Sequence, residues 1–234
     1  MSDTKKIKVI LWDIDGTFLN FKKAQYAALH SCFRSFGLGH ISDEMIADYS
    51  AINDGYWKRL ELGELTRKQV LVGRFEEFLS KYGYDPAIAE QFDSEYQIRL
   101  GDTICFYENS LETLKKLSGR VRQYAVTNGT RVSQERKLKR SGMDKIFDGI
   151  FISEELGTEK PSPLFFEKVF DSIGSFRPDE VMIVGDSLTS DMQGGVNMGI
   201  RTCWFNPDGE VNDRGLHIDY EIGNIAEVAK IIEE

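Results

Sequence analysis

The stretch Ile7-Lys8-Val9-Ile10-Leu11-Trp12-Asp13-Ile14-Asp15-Gly16-Thr17 decides how the rest of the chain is read. A mostly apolar run from Ile7 to Trp12 ends in two carboxylates separated by one residue, followed by a glycine that lets the chain turn sharply. That is the form of a buried strand entering a polar turn. Working outward, short β-rich runs return only beyond about residue 104, near Gln123–Val126, Gly149–Ile152, Val181–Val184 and Arg201–Phe205. They alternate with amphipathic helical patterns, the sequence form of βαβ units and a parallel sheet. Asn109 followed by Glu112 predicts a capping box opening a helix with Leu111, Leu114 and Leu117 on one face. Gly142 and Gly199 fall where helix C-terminal glycines are expected. Ser162-Pro163 offers an N-cap and a first-turn proline for a helix through Phe166, Val169 and Phe170.

Between the first strand and the rest, residues 21–100 show no strand pattern. Helical periodicity recurs instead, in Leu29, Phe33 and Phe36 and again in Val70, Phe75, Phe78 and Leu79. Thr66 with Gln69 gives a second capping box. A helical block placed there reads as a lid over the carboxyl ends of the strands, where doubly wound folds bind ligands. The expected architecture is an α/β, Rossmann-like doubly wound parallel sheet core, residues 1–17 and 101–234, with an inserted all-helical cap, residues 18–100.

At 234 residues, 41% hydrophobic and 29% charged, the chain can bury a full core and still carry a subdomain. Its formal net charge of −9 argues against a nucleic-acid polymer as partner, because such binding draws on clustered Lys and Arg. Cys32, Cys105 and Cys203 lie far apart and in odd number, which suits neither a disulfide framework nor a thiolate zinc site. They read as reduced thiols in a cytoplasmic protein. The N-terminal apolar run, broken by Lys8 and preceded by Lys5 and Lys6, is too short for a signal-peptide core or a membrane span.

Four short polar motifs each follow a predicted strand or open a predicted helix. In Asp13-Ile14-Asp15-Gly16-Thr17, one carboxylate can attack phosphorus covalently, and its neighbour can protonate a leaving alkoxide and then activate water. Alone, such a turn is more often a surface turn or a cation site. Thr127-Asn128-Gly129 supplies a hydroxyl, an amide and backbone N–H groups at a helix start, a cradle for phosphate oxygens or a plain N-cap turn. Lys160-Pro161 places a lysine that could neutralise a phosphate and the nucleophilic carboxylate, although lone loop lysines are usually solvated. Gly185-Asp186-Ser187 with Asp191 follows a strongly apolar strand, and acidic oxygens at a strand end suit Mg²⁺ as well as they suit an N-cap. The four together, on one edge of one sheet, are far less expected by coincidence than any one.

This ordered set resembles the haloacid dehalogenase superfamily: Asp13-x-Asp15, Thr127, Lys160, and Gly185-Asp186 with Asp191. The resemblance implies a Rossmann-like core with a cap inserted after the first motif, Asp13 as nucleophile and Asp15 as general acid/base. It further implies Mg²⁺ held by Asp13, the Asp15 carbonyl and Asp186, with water-linked support from Asp191, and substrate contacts from Thr127, Asn128 and Lys160. Within the superfamily, the run from Ile52-Asn53-Asp54-Gly55-Tyr56-Trp57 through Glu61-Leu62-Gly63-Glu64 to Arg74-Phe75 looks like the cap of the pyrimidine-nucleotide 5′-nucleotidase branch. So do Ser153-Glu154-Glu155-Leu156-Gly157 and Cys203-Trp204-Phe205-Asn206-Pro207. That branch commonly has a second acidic residue where this chain has Gly16, a position variable across the superfamily. The expected activity is hydrolysis of a small phosphomonoester, a nucleoside 5′-monophosphate with pyrimidine deoxynucleotides preferred. Sugar-phosphate phosphatases and phosphomutases of the superfamily share the same four motifs. A dehalogenase has no need of the acid that Asp15 supplies, and a non-catalytic binding module does not account for a complete carboxylate set. Phe21, Asn53, Tyr56 and Trp57 are candidates to stack and edge-bond a base; Tyr49, Tyr56 and Trp57 fit helix packing equally well.

Overall fold

The computed structural model describes residues 6–233. The first five residues, Lys5 among them, and Glu234 lie outside the described residues. The chain opens with β1 (Val9–Trp12), then gives four helices in succession: α1 (Phe21–Ser35), α2 (Asp43–Glu61), α3 (Arg67–Lys81) and α4 (Ala89–Asp102). After α5 (Ser110–Leu117) it alternates through β2 (Arg122–Thr127), α6 (Arg131–Ser141), β3 (Gly149–Ile152), α7 (Ser153–Leu156) and α8 (Pro163–Ile173). It ends with β4 (Val181–Gly185), α9 (Gln193–Met198), β5 (Arg201–Phe205), β6 (Tyr220–Ile222) and α10 (Val228–Glu233).

The six strands form one sheet in the order β3-β2-β1-β4-β5-β6, and every neighbouring pair is parallel. Trp12 stands opposite Ala125 of β2 and Val184 of β4, so β2 runs two residues and β4 one residue beyond the end of β1. Strand order runs outward from β1 to β3, then jumps back across β1 to β4. That reversal leaves a crevice at the carboxyl ends of β1, β2 and β4. Both faces of the sheet are covered: Ile10, Trp12, Ala125 and Val184 pack with Leu114 and Leu138, whereas Val9, Leu11, Val126 and Ile183 pack with Phe165, Phe166 and Val169. This two-sided burial is why the strands read as unbroken apolar runs.

The four helices α1–α4 bury their own apolar faces against one another, around Phe33, Tyr49, Phe75, Phe78, Phe92 and Tyr96. Tyr49 stacks on Phe75 at 5.0 Å between ring centres, and Phe75 meets Phe92 at 4.9 Å. The cap is a second hydrophobic core in its own right.

Several local expectations hold. Thr66 and Gln69 form a reciprocal capping box, and Gly142 and Gly199 end their helices in the left-handed region. Others need correction. β1 begins at Val9 rather than Ile7, although Lys8 still exchanges backbone bonds with Glu180 and Arg122. Asn109 is no capping-box residue: it sits at φ 64°, its side chain caps nothing, and its amide donates to Asn224 instead. Asparagine tolerates that left-handed geometry better than most residues. Pro163 is the first residue of α8, but Ser162 makes no side-chain cap bond. Strand β6 had no counterpart in the sequence reading.

Phe75 is fully buried where rings from two other helices converge, Tyr49 of α2 and Phe92 and Tyr96 of α4. Phe75→Ala is therefore expected to cost about 3–5 kcal/mol in chemical denaturation. A loss below about 1 kcal/mol would mean that the cap core collapses freely around the cavity and is not a packed unit.

Candidate active site

Each of the four polar motifs emerges at the crevice. Asp13 follows β1 directly and its backbone N–H donates to the Val184 carbonyl of β4, so its position is tied to two strands. Its carboxylate Oδ1 accepts from Lys160 Nζ at 2.7 Å. Lys160, 1% exposed, also donates to Asp191 Oδ1 at 2.6 Å and to the Val126 carbonyl at 2.8 Å. Burial works against the lysine's charge, but Asp13 and Asp191 outweigh it and hold its pKa above the ordinary range. Burial pushes the Asp13 carboxyl up to about 7; Lys160 opposes the rise, and Asp191 and Asp15 add to it. Asp186 is raised well above the usual carboxylate range, first by burial and then by Asp13 and Asp191.

Oxygens of Asp13, Asp186 and Asp191 lie within 4.8 Å of one another. Three carboxylates against one ammonium leave a surplus of two negative charges in a mostly buried space. Such crowding calls for a cation, and an all-oxygen donor set suits a hard divalent ion such as Mg²⁺. The hydrogen bonds sort the three. Asp191 has both oxygens engaged, Oδ1 by Lys160 and Oδ2 by the Ser187 N–H at 3.2 Å. Asp13 Oδ2 and Asp186 Oδ1 accept only long bonds from the Thr17 hydroxyl, 3.3 and 3.2 Å. Asp13 and Asp186 are thus free to face an ion, and Asp191 to orient its surroundings. Gly16 makes room for this. At φ +93° it turns the chain so closely under Asp186 that a Cβ there would stand 2.2 Å from Asp186 Oδ2.

Thr127 ends β2 and lines the cavity; its Oγ1 accepts from the Gly129 N–H at 3.1 Å, leaving the hydroxyl proton to donate outward. The Asn128 side chain lies at the cavity but is already committed: its amide donates to the Lys160 carbonyl at 2.8 Å, and its Oδ1 accepts from the Lys160 N–H at 2.9 Å. It clamps the lysine's backbone. Asp15 is held by Lys137 at 2.5 Å and by Gln134 at 2.6 Å.

The cavity above these groups measures about 220 Å³. Its floor is Asp13, Asp15, Thr127, Lys160 and Asp186; its cap wall is Phe21, Asn53, Trp57, Arg74 and Gln97. A wider outer cleft of about 490 Å³ shares Asp15, Phe21, Trp57 and Asp186 with it. Of the aromatic candidates, Phe21 and Trp57 reach the cavity. Tyr49 is fully buried in the cap core, and Tyr56 packs against Gly73 away from the cavity. The Asn53 Oδ1 accepts from Arg74 at 2.7 Å and from the Trp57 indole at 3.2 Å, which fixes the amide at the wall.

The contacts by which the cap touches the core carry no mark in the sequence. Arg67, first in α3, donates to the Asn128 carbonyl at 2.9 Å, Ser153 at 2.6 Å and Glu159 at 3.1 Å. Glu61 accepts from the Thr189 hydroxyl, and burial pushes its carboxyl up to about 7. The capping box marked where α3 begins; nothing marked Arg67 itself.

Residues 10–205 match the family model described as haloacid dehalogenase-like hydrolase. The chain belongs to that family. It is 35% identical over 230 residues to the HAD-hydrolase YfnB of Bacillus subtilis, covering 97% of this chain and 96% of that one. The crystal structure of YfnB, bound to magnesium, superposes with a TM-score of 0.92 over 98% of this chain and 100% of that one, at 33% identity. The pyrimidine 5′-nucleotidase PynA of Streptococcus pneumoniae is 34% identical over 92% of this chain and 90% of its own. The pyrimidine 5′-nucleotidase YjjG of Escherichia coli is 25% identical over 95% and 96%. This haloacid dehalogenase-like hydrolase is an enzyme with a six-stranded parallel core and a helical cap. Among the described residues, no helix is long and apolar enough to cross a membrane.

If the crowded carboxylates form a cation site, Mg²⁺ at a hundredfold excess over its Kd should stabilise the protein by about 2.7 kcal/mol. For a chain of this size that is a rise in Tm of roughly 5–10 °C. Asp186→Asn is expected to abolish the rise, as read by thermal denaturation with and without Mg²⁺. An unchanged Tm in the wild type would rule the site out.

Proposed function

We propose that this hydrolase cleaves nucleoside 5′-monophosphates, pyrimidine deoxynucleotides such as dUMP and dTMP first, through an aspartyl-phosphate on Asp13 and with Mg²⁺. The observation that carries the reading is the cavity itself: a lysine-held carboxylate on its floor and an aromatic-amide wall from the cap facing it. The names of PynA and YjjG support the substrate class. Three unpaired cysteines fit a cytoplasmic enzyme.

In the first half-reaction, an Asp13 carboxylate oxygen forms a bond to phosphorus as the ester P–O bond breaks. The released pair stays on the ester oxygen, which takes a proton from Asp15. Lys160 and the Thr127 hydroxyl hold charge on the phosphoryl oxygens, an electrostatic contribution that grows in a water-poor site. In the second half-reaction, Asp15 takes a proton from water, the water oxygen bonds to phosphorus, and the P–O bond to Asp13 breaks with its pair returning to the carboxylate. Atoms balance as ester plus water giving alcohol plus phosphate. Mg²⁺, which Asp13, the Asp15 carbonyl and Asp186 would hold, would supply positive charge against the phosphoryl oxygens. Asp191 and Asn128 keep Lys160 in place.

The floor residues grip the phosphoryl group alone, so choice among substrates falls to the cap wall. Phe21 and Trp57 can stack a flat base, and the fixed Asn53 amide and Gln97 can bond its edge. A hexose offers no flat face to such a wall.

Asp13→Asn is expected to fold and to retain less than about a hundredth of wild-type turnover, because an amide is a poor nucleophile; higher turnover would count against covalent catalysis at Asp13. Phosphate release across a panel of nucleotides and sugar phosphates should place dUMP and dTMP above purine nucleotides and hexose phosphates in kcat/KM. A hexose phosphate or glycolate phosphate leading the panel would sink the nucleotidase reading and leave a general phosphatase; an isomerised sugar without free phosphate would identify a mutase. Trp57→Ala should lower kcat/KM for dUMP by about tenfold, the order expected for one lost stacking contact of ~1–3 kcal/mol. A hexose phosphate should be affected less.

A further inference from the structure

We propose that Lys137 and Gln134 of α6 are positioning residues for Asp15, fixing its carboxyl where it meets the leaving-group oxygen. The inference rests on the reading of Asp15 as the general acid and base of the reaction.

Lys137 Nζ donates to Asp15 Oδ1 at 2.5 Å, and Gln134 Nε2 donates to Asp15 Oδ2 at 2.6 Å. Both oxygens are therefore gripped, by side chains three residues apart on one face of one helix. Neither gripping side chain is a surface group: both residues are 0% exposed. Lys137 is enclosed between Asp15 and the ring of Phe21, whose centre lies 5.6 Å from Nζ. A buried ammonium with a carboxylate partner adds little net stability compared with an apolar side chain of the same volume. Packing alone does not account for it.

Gln134 is equally constrained. A Cβ on Gly129 would stand 2.1 Å from its Nε2, so the amide is wedged between the Thr127-Asn128-Gly129 loop and Asp15. Thr130, the N-cap of α6, follows that loop directly. One rigid element thus carries the loop that faces the phosphoryl group and the two side chains that hold the acid. Fixing these together matters because an acid must lie within hydrogen-bond reach of the oxygen it protonates, and a displacement of about 1 Å can cost a hundredfold in rate. Asp15 itself lines both the inner cavity and the outer cleft, so its carboxyl stays in reach of solvent when Lys137 is replaced. The variant Lys137→Met is accordingly expected to fold.

The test compares kcat/KM for p-nitrophenyl phosphate and phenyl phosphate, two esters of similar shape whose leaving groups differ in their need for a proton. The full-length wild type, Asp15→Asn, Lys137→Met and Gln134→Met are assayed with Mg²⁺, and folding is checked by circular dichroism. The p-nitrophenyl to phenyl ratio is expected to rise in Asp15→Asn, and by about tenfold or more in Lys137→Met, within the range by which a placed acid accelerates such steps. A rise in Asp15→Asn with both esters slowed equally in Lys137→Met overturns the positioning role and leaves the role of Asp15 standing. An unchanged ratio in Asp15→Asn removes the acid role and the inference with it. Should Lys137→Met not fold, Gln134→Met, which leaves the ion pair intact, carries the same comparison with the same outcomes.

Discussion

The buried ammonium of Lys160 is the interaction on which the site depends. It bonds Asp13 after β1, the Val126 carbonyl in β2 and Asp191 in the turn after β4, so one charge joins three strand ends. Such a group is expensive to bury, and it persists because every donor has a partner. Its backbone is held as firmly as its side chain, through the two-way bond with the Asn128 amide. The lysine offsets one of the three carboxylate charges gathered around it and leaves the rest uncompensated. That residue of negative charge is what a divalent cation would answer, and it adds to the rise that burial causes in the carboxyls of Asp13 and Asp186.

The cap answers to a different physical demand. Its four helices close on their own aromatic core, and polar bonds reach from the cap to the sheet domain. Arg67 reaches the loops after β2 and β3, Glu61 meets the turn after β4, and Gln97 accepts from Thr130 at 2.8 Å. Apolar burial keeps each body intact, and directional polar bonds set how the two meet around the cavity. The cap can therefore vary the residues that line the cavity without disturbing the sheet.

Much of this was legible in the chain. The strands were clear because burial on both faces writes an apolar run, and three of the four motifs were clear because strand ends place polar residues at the close of such runs; Lys160 was marked by the helix start that follows it. Strand β6 was not, since Tyr220-Glu221-Ile222 is short, contains an acid and exists by pairing with β5. Helical periodicity marked Tyr49, Tyr56 and Trp57 alike as one aromatic group; it carries no information on which side meets the cap core and which the cavity. The hardest case was α6. In Arg131–Ser141, Val132 is exposed while Lys137 is fully buried, the reverse of what hydropathy suggests. A charged residue whose partner lies 122 positions away in the chain looks, in sequence, like a solvated one.

That reversal also shows how the core divides its work. Lys160 fixes Asp13 through contacts that converge from three strands, so its position is a property of the sheet. Asp15 projects from the turn beyond β1, where Gly16 leaves no side chain to pack and the backbone is bent under Asp186. A carboxyl in such a turn has several rotamers open to it unless something outside the turn selects one. The sheet offers no neighbour on that side; α6 does. Asp13, anchored by strands, and Asp15, anchored by a helix, then share a single reference point in the Thr127–Gly129 loop, which ends one element and begins the other.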